Sequence, residues 1–196
     1  MEAVIDLDDV LINFHGSFLT YLTEKLGLTP NVENHVHFGF YQDYGISDEE
    51  FYRLIVSSDF ILSLKPFDFS HRALKLLKEH DCSNTICTAR GYMKNAQDAV
   101  SAILEENRIP YDNLIVVPTG AKKSDCYKSM GKIALLVDDA AHNIADALDY
   151  GKISSIYMID KPWNRSYEPE SKKVVRIDSI LSAAKRFTQK LNYAPN

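Results

Sequence analysis

Four short apolar runs in this sequence end in, or lead directly into, polar residues of a kind that phosphorus chemistry uses. Ile5 is followed by Asp6-Leu7-Asp8-Asp9, and Ile86-Cys87 by Thr88-Ala89-Arg90. Leu114–Val117 leads through Pro118-Thr119-Gly120 to Lys122 and Lys123, and Leu136-Val137 runs into Asp138-Asp139. A carboxylate can attack phosphorus to give an acyl phosphate, which divides hydrolysis of a phosphoester into two easier steps. A second carboxyl two residues on can protonate the departing oxygen and later activate water. A threonine hydroxyl, backbone N–H groups and a lysine ammonium stabilise charge on the transferring group. Mg²⁺ takes one or two carboxylates, completes its shell with water and phosphate oxygens, and shields an attacking carboxylate from the phosphate.

Each of these residues also has a plainer reading. Asp-x-Asp after a strand serves equally well as a solvated turn, and Thr88 as a helix cap. Of the two lysines, spacing to the fourth run favours Lys123 for the site and leaves Lys122 on the surface. Asp138 is the stronger metal candidate of its pair, with Asp139 expected to hydrogen-bond a metal-bound water or Lys123. Asn143, one helical turn on, is a supporting group or a surface amide. Arg90 reaches phosphate or pairs with a carboxylate of the segment between the first two runs.

The elements that must bring these residues together follow from the pattern between them. The apolar runs Ala3–Ile5, Thr85–Cys87, Leu114–Val117, Ile133–Val137, Ile153–Ile159 and, more weakly, Val174–Ile177 are brief and nearly continuous, as in strands buried on both faces of a parallel sheet. Helical stripes separate them: Ala73, Leu74 and Leu77; Ala96, Val100, Ile103 and Leu104; Ile180, Leu181, Ala184 and Phe187. Strand and helix alternating in this way predict an α/β, doubly wound parallel sheet. The carboxyl ends of such strands share one edge, where ligands bind, so residues spread over more than a hundred positions converge.

One interval breaks the alternation. Roughly eighty residues separate the first two runs, too many for one crossover helix. Residues 15–63 are expected to form a small, mainly helical cap, leaving 1–14 and 64–196 as the core. Phe18, Leu19, Leu22 and Leu26 suggest one helix closed by Gly27, and Ser47-Asp48-Glu49-Glu50 opens another carrying Phe51, Leu54 and Ile55. Asn31 to Gly45 is polar, aromatic and irregular. Its aromatics Phe38, Phe40, Tyr41 and Tyr44 either stack on a planar ligand or form the segment's own small core. His35 and His37 lack a third nearby ligand, which favours surface or core roles over metal binding.

Composition sets the outer limits. The 196 residues are 45% hydrophobic and 25% charged, enough for one core with an insertion. A net charge of −5 offers no basic excess for duplex nucleic acid. Cys82, Cys87 and Cys126 show no metal-ligand spacing, and an odd number of cysteines argues against a disulfide framework. No basic leader or membrane-length apolar stretch is visible, so a cytoplasmic protein is expected.

Taken in order, Asp6-Leu7-Asp8-Asp9-Val10-Leu11, Thr88, Lys123 and Asp138-Asp139 resemble motifs I to IV of the haloacid dehalogenase (HAD) superfamily across nearly the whole chain. Within it, Val10–Phe14, Phe60–Pro66, Ile86-Cys87-Thr88 and Pro162-Trp163-Asn164 resemble the 5'(3')-deoxyribonucleotidase, or 5'-nucleotidase type C, branch. Ala89-Arg90 departs from that branch, whose best-known members carry Ser-Pro there. The resemblance implies Asp6 as nucleophile, Asp8 as general acid/base, and Thr88 and Lys123 as phosphate-charge partners. It further implies Mg²⁺ held by Asp6, Asp138 and the backbone carbonyl of Asp8. Phe14, Phe40, Tyr41, Ala89 and Arg90 are the residues expected against the substrate. The expected substrate is a small phosphomonoester, a nucleoside monophosphate first; a phosphosugar phosphatase, a polynucleotide 3'-phosphatase and a non-catalytic binding protein are the alternatives. Oligomeric state is left open, a homodimer included.

Overall fold

The apolar runs pair as the strands of one parallel sheet in this computed structural model, which describes residues 1–31 and 35–193. The strands are β1 (Glu2–Ile5), β2 (Ser83–Thr88), β3 (Asn113–Val116), β4 (Ile133–Asp138), β5 (Ile153–Ile159) and β6 (Val174–Ile177), in the order β3-β2-β1-β4-β5-β6. Every pairing is parallel, and the register sets Ile5 beside both Ile86 and Val137. The chain reverses its direction of travel across the sheet between β3 and β4, which makes β1 and β4 the switch point of a doubly wound fold. Side chains of the central strands are buried on both faces, whereas those of the edge strands β3 and β6 are only partly covered.

The predicted stripes lie on helices α1 (Phe14–Leu26), α2 (Asp48–Ile55), α3 (Ser58–Ser63), α4 (Ser70–Lys78), α5 (Ala96–Glu106), α6 (Lys123–Tyr127), α7 (Ala141–Tyr150) and α8 (Ile180–Tyr193). Ala73, Leu74 and Leu77 of α4 and Ile180, Ala184 and Phe187 of α8 belong to one core cluster with Ile5, Ile86 and Val137. Val4, Leu136 and Ile156 point to the opposite face and pack with Ile144 and Ala147 of α7. Cys87 is part of that second cluster, and burial pushes its thiol up to about 12, as befits a core residue.

Between β1 and α4 the chain leaves the sheet edge and returns to it. The Asn13 side chain caps α1 by accepting from the Gly16 N–H at 3.0 Å, and Gly27 closes it in the left-handed conformation. Ser47 caps α2 through the Glu50 N–H at 3.2 Å, as its sequence signature predicts. Ser57, not singled out in the sequence, caps α3 in the same way. Outgoing and returning strands are stapled together. Asn13 N–H donates to the Lys65 carbonyl at 2.9 Å, Phe67 N–H to Leu11 carbonyl at 3.0 Å, and Ser70 Oγ to the same Leu11 oxygen at 2.7 Å. The irregular stretch from Asn31 to Gly45 contains a 3₁₀ turn at Phe40–Tyr44; its residues 32–34 lie outside the described residues. Among the described residues no helix is long and apolar enough to cross a membrane.

Candidate active site

Three central strands deliver the carboxylates and hydroxyl singled out in the sequence. Asp6 extends β1 by one residue, its N–H donating to the Val137 carbonyl at 2.9 Å, so it is fixed against β4. A tight turn follows, with Leu11 and Ile12 N–H groups both donating to the Leu7 carbonyl and Asp9 held at φ 57°. Thr88 ends β2 and is fully buried, and its Oγ1 has no hydrogen-bond partner, a hydroxyl at the sheet edge with unused capacity. The loop after it depends on Gly91: a Cβ there would come within 2.2 Å of the Val117 carbonyl oxygen.

Lys123 opens α6 and is buried, whereas Lys122 is exposed and lies 3.5 Å from Asp146. The neighbouring Ser124 anchors the helix by donating to both Asp146 oxygens, N–H at 2.9 Å and Oγ at 2.8 Å. So held, Lys123 Nζ sits 2.7 Å from Asp6 Oδ1 and 2.7 Å from Asp138 Oδ2. Burial alone would lower the lysine's pKa, but Asp138 and Asp6 raise it, and it is a permanent ammonium. For Asp6 the balance runs the other way. Burial and the carboxylates of Asp138, Asp139 and Asp8 push it well above the ordinary range against the pull of Lys123.

Asp138 and Asp139 turn to different partners. Asp138 is the partner of Lys123, and it also accepts from the Ala140 N–H at 2.9 Å and from Asn143 Nδ2 at 3.1 and 3.2 Å. Those bonds occupy both its oxygens, and it does not line the cavity. Asp139 does line it, and one of its oxygens accepts from Trp163 Nε1 at 2.8 Å. Burial, then Asp138 and Asp9, lifts Asp139 to about 8; burial likewise lifts Asp9 to about 7. Asn143 resolves as a supporting group rather than a surface amide. Oxygens of Asp6, Asp138 and Asp139 lie within 4.8 Å of one another, a set of hard donors carrying more negative charge than Lys123 neutralises.

Arg90 pairs with a carboxylate of the core and not of the cap. It is 1% exposed and forms a fork on Asp8, Nε to Oδ2 at 2.9 Å and Nη2 to Oδ1 at 2.7 Å. It is not among the residues facing the cavity, whereas Ala89 is.

The cavity, of about 430 Å³, is lined by Asp6, Asp8, Asp139 and Lys123 together with Phe14, Phe40, Tyr41, Phe51 and Tyr52. Phe40 and Tyr41 are at once its wall and part of the helical segment's own packing: Tyr41 stacks on Phe51 at 3.9 Å and Phe40 on His15 at 4.3 Å. Tyr44 lies outside it. Phe38 and Tyr52 form an exposed aromatic rim, at 49% and 48% exposure.

Several lining residues escaped the sequence reading, Tyr92, Asp9, Phe51 and His15 among them. Tyr92 meets Tyr52 edge-on at 5.2 Å across the mouth. Asp9 carries no expected role in the sequence, and Phe51 is expected there only on the stripe of a helix. His15 is sandwiched between Phe40 and Trp163 and hydrogen-bonded through Nε2 to His35 Nδ1 at 2.6 Å, with His35 Nε2 on Tyr44 Oη at 2.6 Å. Only the alternation of His35 and His37 hinted at this chain, and it pointed at the wrong histidine: His37 pairs instead with Asp43 at 3.3 Å. Burial, then His35, lowers His15 from 6.5 to about 3, so the fold holds it neutral. The stability this group supports is complete above pH 6.5 and drains as pH falls toward 3, by up to about 1.4 kcal/mol per pH unit. Urea unfolding of His15→Phe at pH 7 and pH 5 is expected to show a smaller acid loss than the unaltered protein; equal losses would refute this assignment.

The same architecture recurs in solved structures. A predicted phosphatase from Clostridium acetobutylicum superposes with a TM-score of 0.68 at 14% identity, over 96% of this chain and 98% of that one. L-2-haloacid dehalogenase from Xanthobacter autotrophicus gives 0.60 at 11% identity, over 94% and 96%. D,D-heptose 1,7-bisphosphate phosphatase from B. bronchiseptica, solved with magnesium and phosphate, gives 0.56 at 13% identity, over 96% and 98%. At such identities the likeness establishes the HAD fold. No protein of curated function matches the sequence. The model of the family described as 5' nucleotidase, deoxy (pyrimidine), cytosolic type C protein matches residues 1–185, and with the Asp6, Lys123 and Asp138 edge in place the chain belongs to that family of phosphomonoester hydrolases.

Proposed function

We propose that this protein is a magnesium-dependent nucleotidase that removes phosphate from nucleoside monophosphates through a phosphoryl-Asp6 intermediate. The observation that carries this reading is the cavity itself, whose lining joins Asp6 and Asp8 with the rings of Phe14, Phe40 and Tyr41. Carboxylates suit the phosphate end of a nucleotide once a cation is present, and flat rings suit the base.

In the first step an Asp6 oxygen attacks phosphorus, the ester P–O bond breaks, and the leaving oxygen takes a proton from Asp8. In the second, water attacks the phosphoryl group while Asp8 takes its proton. The P–O bond to Asp6 breaks, releasing phosphate and restoring the Asp6 carboxylate and the protonated Asp8. Lys123 stabilises negative charge beside Asp6 throughout, and the unpartnered Thr88 hydroxyl is the remaining donor at that edge.

The surplus of buried carboxylate over ammonium fits a divalent cation. Asp6 and Asp138, with the Asp8 carbonyl, would hold Mg²⁺, and Asp139 lies in the same cluster; when bound, the ion would shield Asp6 from the incoming phosphate. Residues 15–63 act in this reading as the cap that supplies the base contacts.

The test is a phosphate-release screen over nucleoside monophosphates and phosphosugars, with and without EDTA. Turnover confined to nucleotides and abolished by EDTA is expected. Preference for phosphosugars would overturn the substrate reading, and EDTA-resistant turnover the metal.

A further inference from the structure

A buried arginine that forks onto the proposed proton carrier needs a role of its own. Arg90 comes from the loop after β2, two residues past Thr88, and its whole guanidinium is withdrawn from solvent. Its Nε and Nη2 each hold a different oxygen of Asp8, at 2.9 and 2.7 Å, the parallel geometry that a guanidinium offers and an ammonium cannot. The guanidinium carbon lies 5.5 Å from the Phe14 ring centroid, and Nη1 approaches Met93 Sδ at 3.9 Å. Phe14 is itself fixed edge-on by Phe60 at 5.4 Å and by Phe51 at 6.5 Å. The Asp8 carboxylate is thus held through Arg90 by the aromatic packing of α1, α2 and α3.

We propose that Arg90 is a positioning residue: its fork sets the rotation of the Asp8 carboxylate about its own axis and so aims one oxygen at the leaving group. This rests on the reading of Asp8 as proton donor given above. A carboxylate has about four acceptor sites, and the fork uses one on each oxygen. One site on each oxygen therefore stays open to carry a proton while the grip is kept. Arg90 does not line the cavity, so it acts through Asp8 and not on substrate. A freely rotating Asp8 would reach the same place only part of the time, and a loss of placement is costly in proton transfer.

The prediction separates proton delivery from every other role. Arg90→Ala and Arg90→Lys are compared with the unaltered protein on two esters, a deoxynucleoside 5'-monophosphate and 2,4-dinitrophenyl phosphate, whose leaving group departs without protonation. kcat/KM reports the steps through loss of the leaving group. For Arg90→Ala it is expected to fall about a hundredfold on the nucleotide and less than about fivefold on the aryl ester. Inhibition by inorganic phosphate should be unchanged, and added guanidinium should restore part of the nucleotide activity. Arg90→Lys keeps the buried charge without the fork; it is expected to show the same split and carries the test if the alanine variant does not fold. Parallel loss on both esters would make Arg90 merely structural, and weaker phosphate inhibition would make it a substrate contact; either overturns the proposal. Absence of turnover by the unaltered protein would remove the hydrolase reading along with it, whereas turnover with parallel losses removes only this one.

Discussion

Asp6→Asn is expected to abolish phosphomonoester hydrolysis while leaving the protein at least as stable as before. The amide keeps the shape of the carboxyl but is a poor nucleophile, so kcat should fall roughly 10⁴-fold or more. The stability half follows from charge. Asp6 is buried among Asp138, Asp139 and Asp8, which raise its pKa together with burial, so its ionised form is penalised by the fold at neutral pH. Neutralising it removes that penalty, and Lys123 keeps its bond to Asp138 at 2.7 Å. A thermal melt of metal-free protein at pH 7.5 should therefore show an equal or higher Tm. Retained turnover would sink the nucleophile assignment. A large loss of stability would show instead that the Lys123 pairing outweighs the repulsion among the carboxylates.

Lys123→Met reverses the sign. It removes the ammonium that Asp6 and Asp138 share and leaves two carboxylates buried without a counter-charge, a change of the kind that costs about 3–5 kcal/mol. The deficit should be largest near pH 7.5 and shrink by pH 5.5, because a carboxyl that has taken up a proton needs no cation beside it. Urea unfolding at the two pH values measures this directly. A deficit independent of pH would point to lost packing of the lysine's alkyl stem rather than lost charge. Turnover should fall as well, since the same ammonium is the cation nearest Asp6.

Much of this was legible in the sequence, for identifiable reasons. Strands buried on both faces leave unbroken apolar runs, so Ile133–Val137 and Ile153–Ile159 could be placed within a residue of β4 and β5. Polar residues at the ends of such runs have one edge to occupy, which made the meeting of Asp6, Lys123 and Asp138 foreseeable. The sequence could not say which way each carboxylate turns once there. Asp138 and Asp139 are adjacent along the chain, but the pleat sends one toward Lys123 and the other toward Trp163. Arg90 shows the same limit: its partner lies 82 positions away, and no local pattern names it. The His15–His35–Tyr44 chain was invisible because it joins the first turn of α1 to His35 and Tyr44 of an irregular segment with no period to read.

The staple between Asn13 and Lys65 has a consequence for engineering and for descent. Both ends of the helical segment leave the sheet as neighbours, with Ile12 bridged antiparallel to Pro66. A short reverse turn could join the same two ends, so everything between them behaves as a cassette on a fixed socket. Asp6, Asp8, Thr88 and Lys123 all belong to the socket. New insertions exchanged at that junction should change what is recognised while leaving Asp6 and Lys123 in place, which offers one route by which a single scaffold can be recruited to many phosphate esters.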